Sequence, residues 1–111
     1  MTDPKTLIKE CRAAQRLSLA HRAVILDARG RAVARGHTSN ISACGALLVV
    51  PWREELLEAD EVLVEIDVPK VAHGQVRRGQ HRTVRYRCRV ARTRGMGQLL
   101  GVGVEFIEKL A

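Results

Sequence analysis

The stretch VRYRCRV, residues 84–90, alternates apolar, aromatic or thiol side chains with arginines. Successive side chains of a β-strand point to opposite faces, so this stretch predicts a half-buried strand with one apolar and one cationic face. The stretch VLVEIDV, residues 62–68, sets valine and isoleucine on one face in the same way. The run ALLVV, residues 46–50, predicts a short buried strand. These three stretches, separated by turn-forming residues, indicate a mainly β fold.

The chain around these stretches supplies further strands and turns. Three more strands are predicted at residues 21–26, 31–38 and 102–106. Turns are predicted at residues 27–30, 39–45 and 94–97. A polar, glycine-containing loop is expected over residues 73–82. Residues 51–60 begin with proline and predict a brief helical segment, with Trp52 and Leu56 on one side.

Six short strands predict a six-stranded antiparallel β-barrel, because closure protects the strand edges. Ahead of the barrel, Asp3-Pro4 predicts a helix start. Apolar residues then recur at helical spacing, at Leu7, Ile8, Cys11 and Ala14. We therefore expect one domain with two parts: a short N-terminal helix or arm over residues 1–20 and a barrel over residues 21–111.

The formal net charge of +7 is unevenly distributed along the chain. Residues 54–67 hold seven acidic side chains and no lysine or arginine, whereas residues 68–95 hold Lys70, eight arginines and no acid. An excess of cationic side chains predicts an anionic partner: a nucleic acid, a nucleotide or an acidic protein surface.

Several other features of the sequence narrow the class of protein. No apolar run is long enough to span a bilayer and the N-terminus lacks the apolar stretch of a signal peptide, so we expect a cytoplasmic protein. The three cysteines are an odd number at wide spacings and fit reduced thiols better than a disulfide framework. The four histidines are scattered and no metal-ligand spacing occurs, so neither a metal site nor a cofactor is expected.

Two short motifs lie on either side of the first predicted hairpin. RAAQR, residues 12–16, is an R-x-x-x-R element, and NISACG, residues 40–45, is an N-x-S-x-x-G element that runs directly into the apolar strand at 46–50. In this order and setting the motifs resemble the signature of the PilZ domain family, and GVGVEF, residues 101–106, is similar to the family's closing strand. The resemblance covers nearly the whole chain. It implies a β-barrel that binds cyclic di-GMP.

The resemblance assigns ligand binding to five residues, namely Arg12, Arg16, Asn40, Ser42 and Gly45. An arginine can donate two parallel hydrogen bonds to guanine O6 and N7 or grip a phosphate, which the point charge of lysine cannot match. Asparagine and serine oxygens would accept hydrogen bonds from the guanine N1 and N2 donors. Glycine would let backbone and ligand approach closely and can take a positive φ.

As a member of this family, the protein would relay the level of the second messenger to a protein partner, within motility, biofilm or polysaccharide-export machinery. Enzyme activity is not expected, because the sequence has no paired carboxylates near a histidine, no nucleophile with a base and no phosphate-binding loop. Two features depart from the family pattern. Only residues 107–111 follow the last strand, where many members carry a helix. Cys11 precedes the arginine pair, where an arginine can favour capture of two stacked ligands.

Two other functions stay open on the sequence. A basic barrel could bind nucleic acid through phosphate contacts made by the row Arg85, Arg87 and Arg89, although aromatic residues make up only 3% of the chain and base stacking needs several. A ligand-independent interaction module with the same fold is the second alternative.

Overall fold

The computed structural model describes residues 20–72 and 75–110, and the side chains of that part outside residues 70–80. Its six strands are β1 (Arg22–Leu26), β2 (Ala32–Ile41), β3 (Gly45–Pro51), β4 (Glu61–Ala72), β5 (Gln75–Met96) and β6 (Leu99–Leu110). They form a closed barrel in the order β1-β2-β3-β6-β5-β4, with every neighbouring pair antiparallel. The predicted six-stranded antiparallel barrel is confirmed. The predicted helix or arm lies outside the described residues except for Ala20.

The core follows from the alternation read in the sequence. On β4, Val62, Val64 and Ile66 point into the barrel and are buried. Their partners on β5 are Cys88, Tyr86 and Val84. Because every second residue of each strand faces inward, the barrel interior is lined almost wholly by aliphatic side chains. The fully buried ones are Ile25, Leu48, Val50, Leu56, Val64, Ile66, Leu100 and Val102.

The prediction of a loop over residues 73–82 is wrong. Strand β4 continues to Ala72, strand β5 begins at Gln75, and the backbones pair as far as Ala72 with Gln75. Polar residues and two glycines indicated a loop. Pairing to a neighbouring strand nevertheless satisfies their backbone groups, so a long hairpin projects beyond the barrel.

The helical segment predicted over residues 51–60 is also corrected. Pro51 is the last residue of β3 and pairs with Leu99 of β6, and the Trp52 N–H donates to the Gln98 carbonyl oxygen at 2.9 Å. These contacts keep the chain extended, which leaves only a single 3₁₀ turn at Glu54–Leu57. Trp52 lies before this turn, so it does not share a helical side with Leu56 as the sequence predicted. Leu56 is buried, whereas Trp52 is 45% exposed.

Candidate functional site

The turn between β2 and β3 is held by hydrogen bonds within the predicted N-x-S-x-x-G motif. The Ser42 N–H donates to the Gly45 carbonyl oxygen at 2.9 Å. The Ser42 hydroxyl accepts from the Cys44 N–H at 3.3 Å and lies 3.4 Å from the same Gly45 oxygen. Serine is favoured in turns because its hydroxyl can bond to nearby backbone groups in this way. Ser42 therefore gives the turn a defined shape.

A β-bulge directs Asn40 to the outside of the barrel. Thr38 pairs with Leu48, and both are fully buried. The register then shifts, so that Asn40 pairs with Leu47. Leu47 lies between the inward-pointing residues of β3, and the pairing thus places the half-buried Asn40 on the outer face. The amide group of Asn40 accordingly belongs to the same surface as the turn that follows it.

Gly45 does not take the positive φ that glycine would allow at this position. Among the described residues the positive φ values lie at Gly30 and Gly97, not at Gly45. Strand β6 passes so close that the carbonyl oxygen of Val104 occupies the space a Cβ at position 45 would need. Glycine at this position is required by the approach of two strands, and no unusual backbone angle is involved.

Arg12 and Arg16, the two arginines of the R-x-x-x-R element, lie outside the described residues. The structure consequently brings together Asn40, Ser42 and Gly45 of the predicted site. These three residues lie in or beside the turn that joins β2 to β3.

The cysteines divide into two kinds. Cys88 is a free thiol, fully buried in the core, and burial raises its pKa to about 12. The sulfur of Cys44 is disulfide-bonded. The expectation of reduced thiols therefore holds for Cys88 and is wrong for Cys44.

The arginine row on β5 is paired with carboxylates of the two neighbouring strands. Arg85 contacts Glu65 of β4, and Arg89 lies 2.6 Å from Glu105 of β6. Arg87 lies between the strands, 3.0 Å from Glu61 and 3.3 Å from Glu108. The acidic and basic blocks seen in the sequence thus fold against each other, which neutralises the row proposed for phosphate binding.

A row of outer-face residues, which the sequence did not single out, leads from Asn40 across three strands. Asn40 pairs with Leu47 of β3, Leu47 with Gly103 of β6, and Gly103 with Arg92 of β5. The signal that could have revealed it is the sequence GVGV at 101–104, because glycine within a strand often marks a close approach by another group. We call these four residues the outer row.

Two kinds of site are not seen in the described part of the chain. Across residues 20–72 and 75–110, no cluster of three or more histidine, cysteine or acidic side chains could hold a metal ion. Over the same ranges, no helix has the length and apolarity to cross a bilayer. A shallow cleft of about 290 Å³ lies elsewhere, between the beginning of β2 and Pro51.

Fold and site together define a small antiparallel β-barrel with a polar, hydrogen-bonded turn between β2 and β3. The family model of the PilZ domain matches residues 10–111, and the chain belongs to the PilZ domain family. PilZ domains are cyclic di-GMP-binding domains, and they act as binding modules rather than enzymes. No curated protein matches the chain.

Proposed function

We propose that this protein is a cyclic di-GMP receptor that binds its ligand on the outer face beside the β2–β3 turn and relays the signal to a protein partner without catalysis. The observation that carries the proposal is the position of Asn40, which the bulge directs to the outer face next to the Ser42–Gly45 turn. Cyclic di-GMP is the ligand, and no further cofactor takes part. We also propose that the protein is cytoplasmic, because PilZ proteins typically are.

The barrel residues of the proposed site would recognise a guanine. Asn40 carries both an acceptor and a donor and can pair with a base edge without adding charge. The Ser42 oxygen has acceptor capacity beyond its bond from Cys44 and would face the guanine donors. Gly45 lets β6 pack closely against the start of β3 and so fixes the position of the turn that carries Ser42.

Arg12 and Arg16 would supply the charge in this proposal. Cyclic di-GMP carries two phosphates and two guanines, and an arginine fork fits either group with two parallel hydrogen bonds. Contacts from these two arginines would close over a ligand that lies beside Asn40. A partner could then recognise the surface formed in this way.

The nucleic-acid alternative loses its main support, because the arginines of its proposed row are paired with glutamates. A ligand-independent module gives no reason for an asparagine on the outer face beside this turn. We therefore keep both alternatives as outcomes of the tests below and favour the receptor.

The arginine pairs provide a direct test. Arg12→Ala or Arg16→Ala is expected to weaken cyclic di-GMP binding by roughly 1–3 kcal/mol, the usual size of a bidentate arginine contact. Arg31→Ala and Arg35→Ala are matched controls, because they have the same spacing but flank the beginning of β2, at the end of that strand away from Asn40. Binding would be measured by titration calorimetry. A loss with the second pair and none with the first would show that the site is placed wrongly.

A further inference from the structure

Arg92 differs from the three arginines of the row that precedes it on β5. Arg85, Arg87 and Arg89 each contact a glutamate on a neighbouring strand. Arg92 is exposed, and within residues 20–72 and 75–110 it has no carboxylate partner. Its guanidinium therefore keeps its donors available for an anion from outside the chain.

The structure also shows what positions this side chain. The Cγ and Nε atoms of Arg92 lie 3.0 and 3.2 Å from the point where a Cβ on Gly103 would stand. The arginine stem consequently lies across β6, in the space that the missing side chain leaves. The comparable space at Gly101 is taken by the sulfur of Met96, 3.3 Å from its Cβ position. The side chain of Arg92 is thus held over Gly103.

The direction of this side chain brings its charge towards the proposed site. Gly103 pairs with Leu47, which pairs with Asn40 on the next strand. Neighbouring strands are about 4.8 Å apart, so a group above Gly103 is on the order of 10 Å from Asn40 along the outer row. A ligand built of two linked nucleotides can extend over that distance, with the aliphatic Leu47 side chain beneath it.

We propose that Arg92 is a further binding residue for the guanine dinucleotide held beside Asn40, and that Gly103 is the residue that positions it. This inference rests on the proposed function. The guanidinium fork donates to a phosphate or to guanine O6 and N7 of the same ligand. The barrel would then supply a cation from β5, at the end of the outer row away from Asn40.

The test is titration of the full chain with cyclic di-GMP in three variants. Arg92→Ala is expected to weaken binding roughly 5- to 150-fold, the range of one bidentate arginine contact. Gly103→Ala is also expected to weaken binding of cyclic di-GMP, because the added methyl group would displace the Arg92 stem. Arg87→Ala is the matched control, because it removes an arginine of the same strand whose partners are Glu61 and Glu108, and it should bind like the wild type.

Urea unfolding of each variant shows whether its barrel is intact. Wild-type binding by Arg92→Ala would overturn the inference and leave the proposed function standing. Wild-type binding by Gly103→Ala, with a loss in Arg92→Ala, would overturn the positioning role. Failure of the wild-type protein itself to bind cyclic di-GMP would overturn the proposed function, and is distinguishable from both results.

Discussion

At position 45 the chain has no room for a side chain, because the Val104 carbonyl oxygen of the neighbouring strand fills that space. At position 103 the neighbour is the flexible stem of Arg92. A backbone carbonyl within a strand pair moves only with the strand, whereas a side chain can change its rotamer. The same substitution at the two glycines is therefore expected to change the free energy of unfolding by different amounts.

We expect Gly45→Ala to lower the free energy of unfolding by about 1–3 kcal/mol, the usual cost of overpacking a close contact. Gly103→Ala should cost less, because its neighbour can move. Urea denaturation of both variants measures the difference through the transition midpoint, at an unchanged slope. Equal midpoints for Gly45→Ala and the wild type would contradict the close approach of β6.

The Cys88 thiol makes stability depend on alkaline pH. Its pKa rises from 9.0 to about 12 because the thiolate would be buried without solvent. Above pH 9 the unfolded chain loses this proton while the folded barrel retains it, so the unfolded state binds fewer protons and stability falls as pH rises. The fall is expected between about pH 9 and 12, by up to about 1.4 kcal/mol per pH unit.

Cys88→Ala isolates this effect, because the substitution removes the buried thiol and leaves every other side chain in place. The variant starts from a lower stability because it leaves a small cavity. Its unfolding free energy should nevertheless decline less steeply than that of the wild type above pH 9. Parallel declines in the two proteins would show that the thiol is not desolvated.

Among the elements, β5 shows how charges that look available in the sequence can be used internally. Arg85, Arg87 and Arg89 form a ladder of exposed ion pairs with carboxylates of β4 and β6. Exposed pairs of this kind contribute little to stability, typically 0–1 kcal/mol each as a rough guide. Their larger effect is on the electrostatic field of the barrel, because four glutamates neutralise the three arginines that could otherwise contact phosphates.

This pairing predicts the response of nucleic-acid binding to Arg87→Ala. A residue that contacts a DNA phosphate contributes about one unit to the slope of log affinity against log salt. Since Arg87 is shared by two glutamates, the variant and the wild type should show the same slope in fluorescence-anisotropy titrations with duplex DNA. A slope smaller by about one unit in the variant would favour the phosphate-binding alternative.

The elements also show how far the sequence could predict this molecule. Alternation located the core positions of β4 and β5, because burial of one strand face depends on local pattern. The hairpin at 73–82 and the extended chain at Pro51 could not be predicted, because cross-strand partners decide them. The motif located the polar turn, while the bulge before Asn40 and the packing of Gly45 follow from register with β3 and β6. Arg92 was missed for the same reason.

At the scale of the whole molecule, the described chain is a closed barrel whose proposed ligand surface lies on its outside. The interior is filled mainly by aliphatic side chains that form one hydrophobic core. Binding on an outer face needs contacts from more than one direction if it is to be selective. The turn, the outer row and the N-terminal arginines would provide those directions.

Calorimetric titration of the full chain with cyclic di-GMP, in competition with GMP, GTP and cyclic di-AMP, tests the central claim most directly. We predict saturable binding of cyclic di-GMP, much weaker binding of the other three nucleotides and full recovery of the intact cyclic ligand by chromatography. The reasons for this prediction are the guanine contacts proposed for Asn40 and the arginines, and a proposed function that includes no catalytic step. No binding of cyclic di-GMP, or equal binding of all four nucleotides, would contradict the account.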